Sequence, residues 1–174
     1  MNPLSETQKA YIAGIIDGEG CISIGKSYKS IGVSAYHSLV ILVVNCDRGL
    51  IDYMVDTVGE GHVYVQQGRK ANHRPLHQWI IGQREAQRFL KEVRDYLVIK
   101  RDQADVALNF MKTFDGIVPS GGYRTPKSVL RQRDEYEVLL KQLKKESTVL
   151  DTESTDDRLE LINQMHTQHQ LSLF

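Results

Sequence analysis

Cysteine is scarce in this 174-residue chain: only Cys21 and Cys46 occur, in no CxxC or other metal-ligand spacing. Both are read as buried reduced thiols, which leaves no cysteine-based metal site and no redox role. No apolar run reaches the ~18 residues that span a bilayer, and no basic then apolar segment opens the chain. A soluble intracellular protein with no membrane partner is therefore expected, in a prokaryotic cytoplasm or an organelle. Excess charge is also missing, since 22 Lys+Arg balance 22 Asp+Glu. No internal repeat is visible, and the length suits one domain, 1–174, large enough to bury a core.

The zero net charge conceals a gradient. From Cys21 to Arg101, 12 Lys+Arg face 7 Asp+Glu, a local +5, whereas Asp134 to Phe174 has 4 against 9, a local −5. The middle of the chain is the face suited to phosphates, and the acidic C-terminal part reads as a solvated helical surface.

The most informative stretch is Tyr11-Ile12-Ala13-Gly14-Ile15-Ile16-Asp17-Gly18-Glu19-Gly20. Ser5 with Gln8 forms a capping box, so a helix is predicted to begin near Glu6, with Gly18 and Gly20 stopping it. Ala10, Gly14 and Gly18 recur every four residues and strip one face of side chains, so that a second backbone can approach closely. Two copies laid side by side bring two Glu19 carboxylates together, and a divalent cation between them makes that tolerable.

The segment Ile12 to Gly20 resembles the LAGLIDADG motif of homing endonucleases, position for position, with Glu19 at the second acidic place. The resemblance implies a single-motif chain that works as a homodimer, with Ala10, Ala13, Gly14 and Gly18 at the dimer contact. It implies Mg2+, or another divalent cation such as Mn2+, held by Glu19 with the Gly18 carbonyl as a second ligand. Asp17 takes a structural or supporting role in that pattern.

The rest of the chain reads consistently. Ile22 and Ile24 alternate with Ser23, Gly25 and Ser27 as in a half-buried strand, followed by a polar loop from Lys26 to Gly32. Tyr36 to Asn45 is a second strand, apolar on both faces through Leu39-Val40-Ile41-Leu42-Val43-Val44, and therefore central. Asp47 caps a helix closed by Gly59. His62, Tyr64 and Gln66 alternate with Val63 and Val65, a basic turn runs from Gly68 to Arg74, and Leu76 to Ile81 returns with the facing of Gln78 and Trp79 undecided. Helices are predicted from Gln83 to Tyr96 and around Ala104 to Met111. After a loop at Val118 to Tyr123, Thr125-Pro126 starts a helix to about Ser147 with Leu130, Leu139, Leu140 and Leu143 inward. Ser154 or Thr155 caps a last helix.

The predicted class is thus α+β, an αββαββα core over about residues 5–112 in which two β-hairpins form one antiparallel DNA-binding saddle backed by helices. A helical extension covers about 116–174. A ribbon of this kind fits the major groove, where base pairs show distinct donor and acceptor patterns.

Three further residues match the wider family pattern: Lys100, after Tyr96-Leu97, as the active-site lysine; Asn45 as the water-positioning amide; and Arg48 as a basic residue of the site. Candidate DNA contacts are Ser23, Ser27, Lys29, Ser38, His62, Tyr64, Gln66, Arg69, Lys70 and Arg74. The six histidines carry no zinc pattern, since His73 and His77 flank Pro75 and His166 and His169 lie in a polar tail; they are read as surface or DNA-contacting groups. The expected activity is metal-dependent, site-specific cutting of both strands of a long, near-palindromic duplex. The alternative is a non-cutting LAGLIDADG-type protein, an intron splicing cofactor or a DNA-binding regulator, with intron RNA as a further partner. Retention of Glu19 and Lys100 favours the enzyme.

Overall fold

Ser5 begins the architecture as predicted. In the computed structural model, which describes residues 2–27, 36–68, 70, 72–115 and 125–146, its side chain accepts from the Gln8 N–H while the Gln8 side chain accepts from the Ser5 N–H. Helix α1 (Glu6–Glu19) follows. It runs through Gly18 and gives way at Gly20, whose N–H bonds to the Ile16 carbonyl. A Cβ at Gly20 would stand 2.7 Å from that carbonyl oxygen, so only glycine lets the chain turn directly from helix to strand here.

Strands β1 (Gly20–Ser27) and β2 (Tyr36–Asn45) form the first hairpin, with Gly20 opposite Val43 and Ser27 opposite Tyr36. Lys26 and Ser27 therefore belong to the strand and not to the expected loop. Helix α2 (Arg48–Val58) starts where the Asp47 carboxylate accepts the Gly49 N–H and ends at Gly59 in the left-handed region, φ 70°. Strands β3 (His62–Gln66) and β4 (Leu76–Gly82) make the second hairpin. The order β1-β2-β4-β3 is antiparallel throughout, with β2 central as its double-sided apolarity required.

Helix α3 (Gln83–Val93) is shorter than expected, because a 3₁₀ turn, Arg94–Tyr96, replaces its last turn. Helices α4 (Arg101–Lys112) and α5 (Lys127–Glu146) complete the described residues. Pro126 lies just before α5 and accepts its first backbone hydrogen bond, one residue short of the expected N1 place. Lys29, Arg69, the 118–123 loop, the helix after Ser154, His166 and His169 fall outside the described residues.

The core lies between one face of the sheet and the helices. Ile22, Ile24, Leu39, Ile41, Val43, Trp79 and Ile81 point into it and meet Ile12, Ile16, Met54, Phe89 and Phe110 from the helices. Trp79 settles the open parity of β4, its indole N–H donating to the Glu60 carbonyl at 3.0 Å. Val63 and Val65, on the core side of β3, are nevertheless 44% and 52% exposed, because β3 is an edge strand. Cys46 is exposed and Cys21 half-buried, so neither is a core thiol, although both are free.

Helix α5 lies along the β1 edge. Besides Leu139 and Leu140 it buries Tyr136 and Arg133, which hydropathy alone did not place inside. The Arg133 guanidinium stacks 3.6 Å over the Phe114 ring centroid and donates to the Thr113 hydroxyl and carbonyl, replacing its hydration. Near its start, Asp134 accepts from Lys26 Nζ at 2.6 Å and pairs with buried His37 Nε2 at 2.8 Å.

Burial pushes the Asp134 carboxyl up, but Lys26 and His37 outweigh it and hold it below its ordinary value. A depressed folded-state pKa means stabilisation that is present above the unfolded value, about pH 4, and lost as pH falls through the folded one. Asp134→Asn is expected to melt earlier than wild type at pH 7 and to converge with it below about pH 3. The carboxylate is 41% exposed, so the difference should be about 1 kcal/mol. Thermal denaturation of both proteins from pH 2 to pH 8 checks the sign and the window.

Candidate functional site

The C-terminal end of α1 is tied to a distant loop by one carboxylate. Asp17 accepts the backbone N–H groups of Val98 at 2.8 Å, Ile99 at 3.2 Å and Lys100 at 2.9 Å, and Lys100 Nζ donates back to the Asp17 carbonyl. Three orphan donors ahead of α4 are thus satisfied by one anion. Arg94 secures the other side of this loop with a forked pair of bonds to Asp105 of α4, at 2.7 and 2.6 Å. The Lys100 ammonium is thereby held at the Asp17 carbonyl, two residues of chain before Glu19.

Glu19, Lys100 and Asn45 come together at one end of the sheet. Glu19 precedes Gly20, which pairs with Val43, and Asn45 lies two residues further along β2. The Glu19 carboxylate is exposed. The Asn45 side-chain oxygen accepts the Asp47 N–H at 2.8 Å, so its amide also shapes the turn into α2. Arg48 begins α2 nearby, but its guanidinium is 75% exposed and turned along the helix to Asp52 at 3.2 Å.

The donor set at this corner suits a hard cation. Glu19 offers a free-standing carboxylate and Gly18 a last-turn carbonyl without an intrahelical partner. Asp17 is occupied by the loop N–H groups, so one chain supplies two oxygen ligands, a number compatible with magnesium, which retains several waters. His37, Asp134 and Glu137 also bring ligand-type atoms within 4.8 Å of one another. There Lys26 and Lys141 already neutralise the carboxylates, at 2.6 and 2.7 Å, and the group lies roughly 23 Å along β1 from Glu19. It fastens α5.

The sheet face opposite the helices carries the expected strand contacts. Ser23, Ser27, Ser38, His62, Tyr64 and Gln66 all share it, as the pairing of Gly25 with Ser38 and of Tyr64 with Gln78 requires. Gln78 belongs to the same face and donates to Gln66 at 3.1 Å; only the parity fixed by Trp79 could have found it. Val40, Leu42, Val44 and Ile80 lie there too, as apolar groups among the polar ones. Lys70 and Arg74 sit exposed in the second hairpin's turn, at the Glu19 end of the sheet. That turn borders a groove of about 620 Å³ lined by Cys46, Gln66, His73, Arg74 and Leu76.

On α1, Ala10, Gly14 and Gly18 are exposed, and nothing lies within 4 Å of a Cβ built on either glycine. Ala13 is different: it is fully buried in the chain's own core and cannot belong to that stripe. One step of 100° around the helix separates Ala13 from Gly14 and decides which side each faces. Among the described residues no helix is long and apolar enough to cross a membrane.

No protein-family model and no curated protein sequence matches this chain. Solved structures do. The homing endonuclease I-CvuI bound to the I-CreI target superposes with a TM-score of 0.64 at 18% identity, over 91% of this chain and 96% of that one. The archaeal intron-encoded homing endonuclease I-Vdi141I, complexed with DNA, gives 0.63 at 14% identity over 91% and 96%. The LAGLIDADG meganuclease I-AabMI, bound to uncleaved DNA, gives 0.55 at 19%, with 84% of this chain matching 50% of that longer one. The chain therefore has the α+β fold of the LAGLIDADG homing endonucleases, at the size of the single-length structures.

Asp17→Ala should release the loop that carries Lys100. Three N–H groups lose a charged acceptor at a partly solvated site, for an expected cost of about 2 kcal/mol. Hydrogen exchange should accelerate at the Val98, Ile99 and Lys100 amides well beyond the global change, and unchanged protection there would show that the carboxylate does not hold the loop.

Proposed function

We propose that this chain is a divalent-metal-dependent, site-specific DNA endonuclease that acts as a homodimer on a near-palindromic duplex. The observation that carries this reading is the corner itself: an exposed Glu19 and a fixed Lys100 at the end of a small-residue helix, beside a polar sheet face in a fold whose solved examples hold DNA. The exposed Ala10-Gly14-Gly18 stripe supports pairing of two α1 helices about a two-fold axis, which would place two such corners across the two DNA strands.

In this reading the sheet face lies in the major groove. Ser23, Ser27, Ser38, His62, Tyr64 and Gln66 contact base edges, and Lys70 and Arg74, with Lys29 and Arg69, contact phosphates. Glu19 and the Gly18 carbonyl would hold Mg2+ or Mn2+, which would supply Lewis-acid stabilisation and activate a water. Lys100 offsets the charge that develops on the phosphate, Asn45 orients the attacking water, and Arg48 turns from Asp52 toward the backbone. The apolar residues of the face suit thymine methyl groups.

The test is selection of bound and cut duplexes from a randomised library with excess Mg2+, followed by the same assay on Glu19→Gln. Wild type should yield double-strand ends placed symmetrically in a near-palindrome. Glu19→Gln should retain binding within about tenfold and lose cutting, because it deletes a metal ligand and little of the phosphate-contacting surface. Binding without cutting by wild type would favour the splicing-cofactor or regulator reading. Gly14→Leu should abolish dimer and cutting together, since overpacking of about 1 to 3 kcal/mol is felt twice at a two-fold contact. Sedimentation with and without the selected duplex separates these outcomes.

A further inference from the structure

Several lysines of this protein are held by carboxylates, and Lys144 is not. Lys9 pairs with Glu6 and Glu92, Lys26 with Asp134, and Lys141 with Glu137. Lys144, near the end of α5, instead directs its ammonium at Cys21 Sγ, 3.2 Å away, and Ser23 Oγ, 3.0 Å away. Among the described side chains no carboxylate lies within ion-pairing reach of it. Lys100 behaves in the same way, resting on the Asp17 carbonyl. Both groups are partly buried, and a partly desolvated cation held only by neutral acceptors gains when an anion arrives.

The course of α5 brings Lys144 to this place. Asp134 meets Lys26 near the end of β1 and Lys144 meets Cys21 near its start, so the helix runs antiparallel to the strand. Ten helical residues cover about 15 Å and five strand residues about 17 Å, so the two spans match. Cys21 is two residues from Glu19, and Cys21 and Ser23 share the sheet face opposite the core. Lys144 from α5 and Lys100 from the loop before α4 thus both stand near the start of β1, beside an exposed carboxylate.

We propose that Lys144 is a phosphate-binding residue of the cleavage corner, contributed by α5 and facing the same phosphodiester as Lys100. This rests on the endonuclease reading and extends it, because it makes α5 part of the site. When DNA docks, the ammonium exchanges the Cys21 and Ser23 acceptors for a phosphate oxygen, a shift within reach of a flexible lysine side chain.

Lys144→Ala and Lys144→Arg test this on the selected duplex, with exposed Lys91→Ala on α3 as a control. At saturating protein and Mg2+, single-turnover cutting by Lys144→Ala should fall ten- to a hundredfold, and the salt slope of binding should flatten by about one per copy. Lys144→Arg should restore the slope and bring the rate within tenfold of wild type, and Lys91→Ala should match wild type in both. A Lys144→Ala protein of native melting temperature that cuts at the wild-type rate with an unchanged slope overturns the assignment and leaves the endonuclease reading standing. A flattened slope with an unchanged rate also overturns it, placing the lysine on the flanking backbone. Wild type that neither binds nor cuts any duplex overturns the endonuclease reading, and this assignment with it.

Discussion

The Asp17 carboxylate is the constraint on which the corner depends. It closes a loop between residues about eighty positions apart in sequence, and it does so with an anion at a helix C-terminus, where the dipole disfavours negative charge. Three N–H donors and the Lys100 ammonium offset that cost. Because the same short segment ends α1 and receives the Lys100 loop, α4, α1 and the start of β1 are held in register by one residue. Glu19 gains its exposure from this arrangement, since Asp17 turns inward to the loop and leaves Glu19 to face outward.

Strand periodicity made the sheet legible, and the reason is physical. A half-buried strand must alternate and a central strand must be apolar on both sides, so Ile22 and Ile24 against Ser23 read directly as a half-buried strand and Leu39 to Val44 as the central one. The caps at Ser5 and Asp47 were legible because their hydrogen bonds are local. Gln78 and Trp79 were not, since parity in a short strand depends on its partner's register, and the pairing of Trp79 with the core residue Val43 decides it. Val63 and Val65 show the converse: alternation was real, but cover by a helix is a tertiary fact. Arg133 and Tyr136 were missed because a guanidinium enters a core only with particular partners, here Thr113 and Phe114, that spacing does not reveal.

The site divides in the same way. Glu19, Gly18 and Lys100 were singled out through the motif and its flanking pattern, and the fold brings them to one place. The inward turn of Ala13 escaped because a stripe and a core face differ by one helical step. Lys144 had no sequence signal at all: it reaches Cys21 across more than a hundred residues, through a helix whose docking rests on Asp134 and His37 at its other end.

The glycine at the helix-to-strand corner has a wider consequence. With the Ile16 carbonyl oxygen 2.7 Å from where a side chain would begin, the placement of Glu19 against the sheet is set by main-chain atoms alone. The side chains of Ser38, Tyr64, Gln66 and Gln78 stand on the strands without touching that corner. On the endonuclease reading, the molecule therefore keeps its lettering apart from its blade: the face can be rewritten residue by residue while the corner stays where the backbone put it. Drift in sequence on the one side need not disturb geometry on the other.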